Sequence, residues 1–573
     1  MTPFASLGSA IQEFNAKGGL GPDPLAALYP ERRHAWGLFA KNLSDEDCEA
    51  LRPYLFAYGK LPRAPGEPAP RCHDFIGGKW CAPESGAYVA MTSPADDRVT
   101  IFEIAASGEK DALRAIDAAD RAWKGLAWAN EAFGYRKWVV RNFSLLLHHF
   151  LEECLREIRE QIPKTRLEAQ KDFWEAKRAA DHLEGSAETA LRGEIVPPMV
   201  PGQVYWRNAW LPAGPATIIT PMNFIYGIPG IQIVGAYLSG CPFIFKGHPF
   251  AAVTNTTLVK MLLASGADPA YVQKLEGFGA GIARVATDPR IAVVSVTGSA
   301  ETARKIAGGR GLARLRFEGG GCNWAFVDDG YGDADLERIA ARLTYSKLGL
   351  GSQKCTGLHG VAAAPAMLER LLPKIAAEMD RWEVADPRDT AEEKVVSPLI
   401  VHRTETYLDV IAAARRAGCT LVREGGRAGG EWGRHSRAVK PALIAGVEPG
   451  TTIRVDWDGR GEIDLQLAQD ELFMPILVAM ALPGGFDDFV RFSLFTNPHD
   501  LATSLYTRDD AKLQRAHRTL GGMIKENDGT DSALEWEEFG ASTIGESGNM
   551  GVGEAQATLS IFCRRQKGRH LVL

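Results

Sequence analysis

The sequence predicts an α/β protein built on buried parallel strands, and three observations carry that prediction. The first is a run of 38 residues without a charge between Arg207 and Lys246, long enough to suggest a membrane span. Pro212, Pro215, Pro221, Pro229 and Pro242 interrupt it, and prolines this frequent break a spanning helix. The run therefore reads as strand (PATIIT), turn (PMNFIYGIP), helix (GIQIVGAYLSG) and strand (CPFIFK), the pattern of a parallel sheet covered on both faces. The second observation is the continued alternation of helix-like and strand-like units beyond Lys246: TNTTLVKMLLASG, IAVVSVTGS and AETARKIAGG. The third is size. At 573 residues, 45% hydrophobic and 24% charged, the chain is too long for one core and suits two or three domains.

The remaining elements follow in chain order. Residues 1–70, closing on the proline-rich KLPRAPGEPAP, read as an N-terminal extension. FIGGKW opens the main fold as a strand, SPADDRV turns, and TIFEIAA is a second strand. From Ser107, Leu113, Ile116, Ala119 and Trp123 share a helical face, with Ser107 placed to cap it. One long helical region is expected from about Glu131 to Leu191. The glycine run Gly277 to Gly281 does not match the dinucleotide fingerprint and reads as a turn between strand and helix.

Composition excludes several classes. A formal charge of −6 gives no attraction to nucleic acid or to an anionic membrane. The N-terminus MTPFASLGSAIQEF lacks a basic region followed by an apolar core, so the expected location is cytoplasmic. Nine scattered cysteines without a C-x-x-C pair argue against a disulfide framework and a metal site.

Four residues carry candidate chemistry. Cys355, in GLGSQKCTG, is a candidate nucleophile, because a thiolate on a flexible glycine-bounded loop can reach an electrophile. Asn223, in TPMNFIYGIP, follows a buried strand where its amide could donate to a developing oxyanion. Glu318, in LRFEGGGCNW, ends an apolar strand as a candidate buried base, and Lys246 ends another, where α/β sheets bind ligands. Each has an ordinary alternative: a buried thiol, a turn asparagine, and strand-end side chains in solvent.

Read together, these segments resemble the aldehyde dehydrogenase superfamily. The match runs in order through FIGGKW and SPADDRV, TPMNFIYGIP, FIFKGHP, VSVTGSAETA, FEGGGCNW, GSQKCT, QDELFMPIL and EEFGASTIGESGNMGVGE, over about residues 75 to 570. The spacing of Asn223 to Lys246, 23 positions, and of Asn223 to Cys355, 132 positions, is close to the family's usual intervals. The resemblance implies a doubly wound cofactor domain (71–193 and 213–317), an α/β catalytic domain (318–525) and a small β oligomerisation flap (194–212 and 546–573). It implies Cys355 as nucleophile, Asn223 in the oxyanion hole, Glu318 as the base that activates water, and NAD or NADP held through Lys246, Gly298, Ser299, Glu471 and Phe473. A small-molecule aldehyde as substrate and a homodimer or homotetramer follow from the same resemblance. Glu318 favours hydrolysis over acyl transfer to coenzyme A, and a non-catalytic structural homologue is the remaining alternative.

Departures from the family pattern bear on detail. Pro249 stands where a ribose-binding carboxylate is common, which admits NADP and leaves His248 and Lys246 as candidate phosphate partners. Glu471 lies 116 positions after Cys355, further than usual, implying insertions around GRAGGEWGRHSRAV and DWDGRGEIDLQ. Cys322 is expected to be a small buried hydrophobe. Within the superfamily the chain is nearest the 1-pyrroline-5-carboxylate (glutamate semialdehyde) dehydrogenase branch, with ring-cleavage semialdehyde dehydrogenases comparable. The acid-rich loop holding Glu526, Asp528, Asp531, Glu535, Glu537 and Glu538 suggests repulsion of a carboxylate-bearing substrate if it borders the tunnel.

Overall fold

The computed structural model describes residues 7–26, 29, 42–126, 132–191, 194–196, 203–311, 314–391, 393–497, 499, 501–532 and 561–571. Two sheets organise them. The first has eight strands, of which five are parallel, in the spatial order Val272–Lys274, Phe243–Lys246, Ala216–Ile219, Val293–Thr297, Arg314–Glu318. Chain order runs outward from Ala216–Ile219 in one direction and resumes on its other side with Val293–Thr297, so the sheet is doubly wound with its switch point between those two strands. The charge-free run owes its composition to this position: every residue of Phe243–Lys246 is buried, and so is nearly all of the helix Gly227–Ser239.

That helix also shows how the sequence reaches its local structure. Pro229 sits in its first turn, where backbone N–H groups have no intrahelical acceptor to lose. Gly240 ends the helix in the left-handed conformation at φ 80°. The long helix Arg166–Leu191 packs across it. A Cβ at Gly230 would stand 2.6 Å from the Cβ of Ala176, so glycine sets how closely the two helices approach.

The expected single helical region is three helices, Phe133–His149, Leu151–Gln161 and Arg166–Leu191. Pro163 follows the second and ends it, since the residue before a proline disfavours helix. The cap at Ser107 is corrected. Gly108 is the N-cap, bonded through its N–H to Asp111, while the Ser107 hydroxyl donates to Asp74 at 2.6 Å. Over its described residues the N-terminal extension packs into the core rather than standing apart: Ile11, Phe14, Leu51 and Tyr54 are buried, and Gly21–Pro22 pairs with Lys79 and Trp80 at the sheet edge.

The second sheet has seven strands in the order Thr420–Arg427, Val439–Ala445, Ile476–Ala481, Leu358–Ala363, Asn323–Val327, Ala502–Tyr506, Met523–Glu526, all parallel save the first pair. The two regions read as insertions are the short helix Gly430–His435 and a hairpin of Thr452–Asp456 with Glu462–Gln466. A third, antiparallel sheet joins Glu194–Val196, Gln203–Pro212 and Cys563–Leu571, with Cys563 opposite Pro212 and Leu571 opposite Gln203.

Candidate active site

The chain passes from the first sheet to the second through Gly319, Gly320, Gly321 and Cys322, between the last residue of Arg314–Glu318 and the first of Asn323–Val327. Glu318 and Cys355 meet at this crossing. Both line a cavity of about 520 Å³, together with Thr297, Trp174 and Phe224. Thr297 and Glu318 are direct partners in the parallel ladder, so their side chains share one face of the sheet.

Three devices hold the cysteine loop. Gln353 accepts from the Ile400 N–H at 2.7 Å and donates to the carbonyls of Leu350 and Pro398. Asn323, fully buried, donates to the carbonyls of Cys355 at 2.7 Å and Gly357 at 2.9 Å, and its own Oδ1 accepts from Ala502 N–H. Glu168, from the long helix, accepts from the N–H of Leu350. Leu350 and Ser352 are non-glycine residues at φ 52° and 67°, a conformation that persists only where the surroundings impose it. Asn323 and Glu168 were not found from sequence. The signal for Asn323 was a polar residue opening the apolar strand NWAFV; Glu168 carries none.

Lys246, Gly298 and Ser299 stand at the carboxyl ends of parallel strands, while Glu471 and Phe473 lie in the segment before Ile476–Ala481. Lys246 ends Phe243–Lys246, is 8% exposed, and donates to the Gly247 carbonyl at 2.6 Å; burial lowers its pKa to about 8. Gly298 follows Val293–Thr297 and donates its N–H to the Glu318 carbonyl at 3.0 Å. Ser299 caps the helix Ala300–Arg310, whose free N–H groups face the switch point. Glu471 accepts from the Gly321 N–H at 3.1 Å, and burial raises its pKa to about 7. A Cβ at Gly320 would lie 1.9 Å from Glu471 Oε2, so this glycine makes room for that carboxylate. Phe473, two residues on, is held at φ 53°. Asn223 is buried in the turn after Ala216–Ile219, next to the cavity-lining Phe224. That turn is fixed by Asp172, which accepts from the N–H groups of Ile225, Tyr226 and Gly227 and pairs with Lys164 at 2.7 Å.

Two expectations change. His248 is engaged locally: its Nδ1 accepts from the Phe250 N–H, its ring stacks on Phe250, and burial with Lys246 nearby lowers its pKa to about 3, so it offers no positive charge to a phosphate. Over its described residues the acid-rich loop has its acids paired. Asp531, which lines the cavity, pairs with Lys354 at 2.9 Å and Arg342 at 2.8 Å; Asp528 pairs with Arg342, and Glu526 turns to His517. Glu535, Glu537 and Glu538 lie outside the described residues. Cys322 is fully buried, its thiol directed to the Ala468 carbonyl.

Burial dominates the electrostatics. The Cys355 thiol is pushed well up by desolvation and by the carboxyls of Glu318, Glu471 and Glu175. Glu318 is 4% exposed, neither carboxyl oxygen has a protein hydrogen-bond partner, and desolvation raises its pKa well above the usual range. Both shifts favour the proton-bearing form. Among the described residues no group of histidine, cysteine and acidic side chains is placed to hold a metal.

A doubly wound nucleotide-type sheet facing a second α/β unit, with a thiol and a carboxyl between them, defines a class of two-domain cofactor-dependent enzymes. The chain belongs to the aldehyde dehydrogenase family, whose model matches residues 80–562. Among characterised relatives, the α-ketoglutarate semialdehyde dehydrogenase of Haloferax volcanii is 25% identical over 497 residues, covering 84% of this chain and 96% of that protein. The NADP-dependent glyceraldehyde-3-phosphate dehydrogenase of Zea mays is 24% identical over 416 residues, covering 70% and 76%. Betaine aldehyde dehydrogenase from Staphylococcus aureus, solved with NAD+, superposes with a TM-score of 0.79 at 19% identity, covering 87% of this chain and 97% of that one.

Proposed function

We propose that this protein oxidises an aldehyde to the carboxylic acid through a thioester on Cys355, with NAD or NADP as electron acceptor. The observation that carries the reading is that Cys355 and Glu318 line one cavity together with Thr297, at the carboxyl ends of two adjacent strands of the doubly wound sheet. The strand ends suit a dinucleotide: a helix N-terminus for the pyrophosphate, Lys246 for a ribose, and a carboxylate at Glu471 whose approach Gly320 permits. Gly298 and Phe473 complete that set. When bound, the nicotinamide supplies the acceptor for the hydride leaving the substrate carbon.

The residues divide the work. Cys355, as thiolate, adds to the aldehyde carbon. The Asn223 amide and the Cys355 N–H donate to the oxygen as it gains charge. After oxidation Glu318 takes a proton from water, the water oxygen adds to the thioester carbon, the C–S bond breaks, and the acid leaves as the departing thiolate takes that proton back from Glu318, restoring thiol and carboxylate. Substrates bearing a carboxylate are compatible with the cavity, because Asp531 is neutralised by Lys354 and Arg342. The relatives named for semialdehydes support that class, and glutamate semialdehyde is the substrate of the branch noted above. We place the protein in the cytoplasm as a homo-oligomer.

The test is nicotinamide reduction with NAD and NADP over pentanal, benzaldehyde and glutamate semialdehyde, with and without coenzyme A. Reduction independent of coenzyme A, lost in Cys355→Ala with cofactor binding intact, is expected. Strict dependence on coenzyme A would make the protein an acylating enzyme, and no reduction at all would make it a structural homologue.

A further inference from the structure

The hairpin of Thr452–Asp456 with Glu462–Gln466, one of the two regions read as insertions, bridges the two halves of the cofactor set. Its inner face is apolar: Ile453, Val455 and Leu465 are buried in the core that also holds Tyr407, Val410 and Ile411 of the helix Thr404–Arg416. Its tip is a fixed turn. The Trp457 N–H donates to the Gly461 carbonyl and the Arg460 N–H to the Trp457 carbonyl, both at 3.1 Å. The Asp458 N–H donates to Thr406 Oγ1 at 3.0 Å, and Arg403 grips the Asp458 carboxylate at 2.9 and 3.0 Å while its guanidinium lies over the Trp457 ring. Arg403 brings the tip near Glu471, whose pKa is raised by burial and partly lowered again by the Arg403 charge. On its other side the tip reaches the unit of the first sheet, where Arg460 Nη1 stands 3.4 Å from Glu301 Oε2. Glu301 is the second residue of the helix Ala300–Arg310, capped by Ser299. A dinucleotide with its pyrophosphate at that helix start and its nicotinamide ribose at Glu471 runs between these two anchor points, beneath the tip.

We propose that this hairpin is a strap across the cofactor cleft, and that Arg460 leaves Glu301 to bind the pyrophosphate of the bound dinucleotide, slowing its release. The inference rests on the dinucleotide reading above. Arg460 is placed for such an exchange. Its contact with Glu301 is long for a guanidinium and a carboxylate, and Glu301 has a closer cation in Lys305 at 2.6 Å, which it keeps when Arg460 moves. The acids beside Arg460 in the hairpin are engaged: Asp456 accepts from the Gly461 N–H at 3.0 Å, Asp458 is held by Arg403, and Glu462 pairs with Arg454 at 2.9 Å. A phosphate oxygen pair accepts two parallel N–H bonds from one guanidinium, so the pyrophosphate is the stronger partner.

The experiment measures binding, without turnover. Fluorescence titration gives Kd for NADH and NADPH, a stopped-flow chase with excess ADP-ribose gives their dissociation rates, and calorimetry gives Kd for ADP-ribose alone. For Arg460→Ala the expected result is a Kd about tenfold higher for the reduced nucleotide that binds, with most of the change in the dissociation rate. ADP-ribose, which keeps the pyrophosphate and lacks the nicotinamide, should lose affinity by the same factor. Glu301→Gln removes the competitor for Arg460 and should tighten binding, and that gain should shrink when Arg460→Ala is already present. Both side chains are more than half exposed, at 69% and 54%, so the variants should keep the unsubstituted urea midpoint. An unchanged Kd in Arg460→Ala, a loss confined to NADH or NADPH and absent for ADP-ribose, or faster release in Glu301→Gln would each overturn the proposal. An unsubstituted enzyme that binds neither reduced nucleotide would overturn the dinucleotide reading itself.

Discussion

Burial pushes Cys355, the proposed nucleophile, and Glu318 the same way, toward the proton-bearing form. The sign of the pH dependence follows. A thiol whose pKa is raised gains thiolate only as pH climbs, about tenfold per unit while pH stays below that pKa. Alkylation of Cys355 by iodoacetamide in the cofactor-free enzyme should therefore still be accelerating at pH 9. A plateau below pH 8 would show a thiolate stabilised by a group this site does not contain. Glu318→Gln should leave one burst of reduced nicotinamide per Cys355 and slow the steady rate at least a hundredfold, the general-base contribution; sustained turnover would place the base elsewhere.

At the level of elements, the turn carrying Asn223 depends on a charge from another helix. Asp172 and Lys164 are both about 1% exposed or less at their side chains, and Asp172 spends its oxygens on three backbone N–H groups besides. Removing one partner of such a pair strands the other, at a cost of about 3–5 kcal/mol. Asp172→Ala should lower the denaturant midpoint accordingly and raise KM for aldehyde, measured by urea unfolding and by kinetics on the fraction that folds. The reasons some of the site was legible in sequence lie here too. Lys246 and Glu318 end strands that are apolar because both faces are covered, and a polar residue closing such a run stands out. Asp172 and Glu168 sit in a helix dense with charges, where a buried acid looks the same as a solvated one. Ser107 looked like a cap because its distant partner, Asp74, is invisible to local spacing.

For the whole molecule, two distant stretches of chain meet in the third sheet. Gln203–Pro212 leaves the chain between helix Arg166–Leu191 and strand Ala216–Ile219, and its partner Cys563–Leu571 returns from the far end of the sequence. We read this sheet as the oligomerisation flap, 194–212 with 546–573, and keep the divisions 71–193 with 213–317 and 318–525 as proposals for the other two domains. Sedimentation at micromolar concentration should give a dimer or a tetramer; a monomer would remove the flap's assigned role. The described parts of residues 1–70 share the first sheet's core, so removing them should destabilise the protein rather than release an independent arm.

The proposed reacting pair is divided between two sheets. Glu318 closes a strand of one, while Cys355 stands on a loop leading into the other, tied by Asn323 at the crossing. Glu318 cannot be displaced without breaking its ladder with Val293–Thr297, and Cys355 is held to the second sheet by Asn323, yet a small slip of one sheet against the other would separate them. Such an enzyme should fail under mild stress before it unfolds. In a urea series, turnover should disappear while far-ultraviolet ellipticity is still native, and it should return at once on dilution. Coincident loss of both would mean that the two sheets come apart only when each melts.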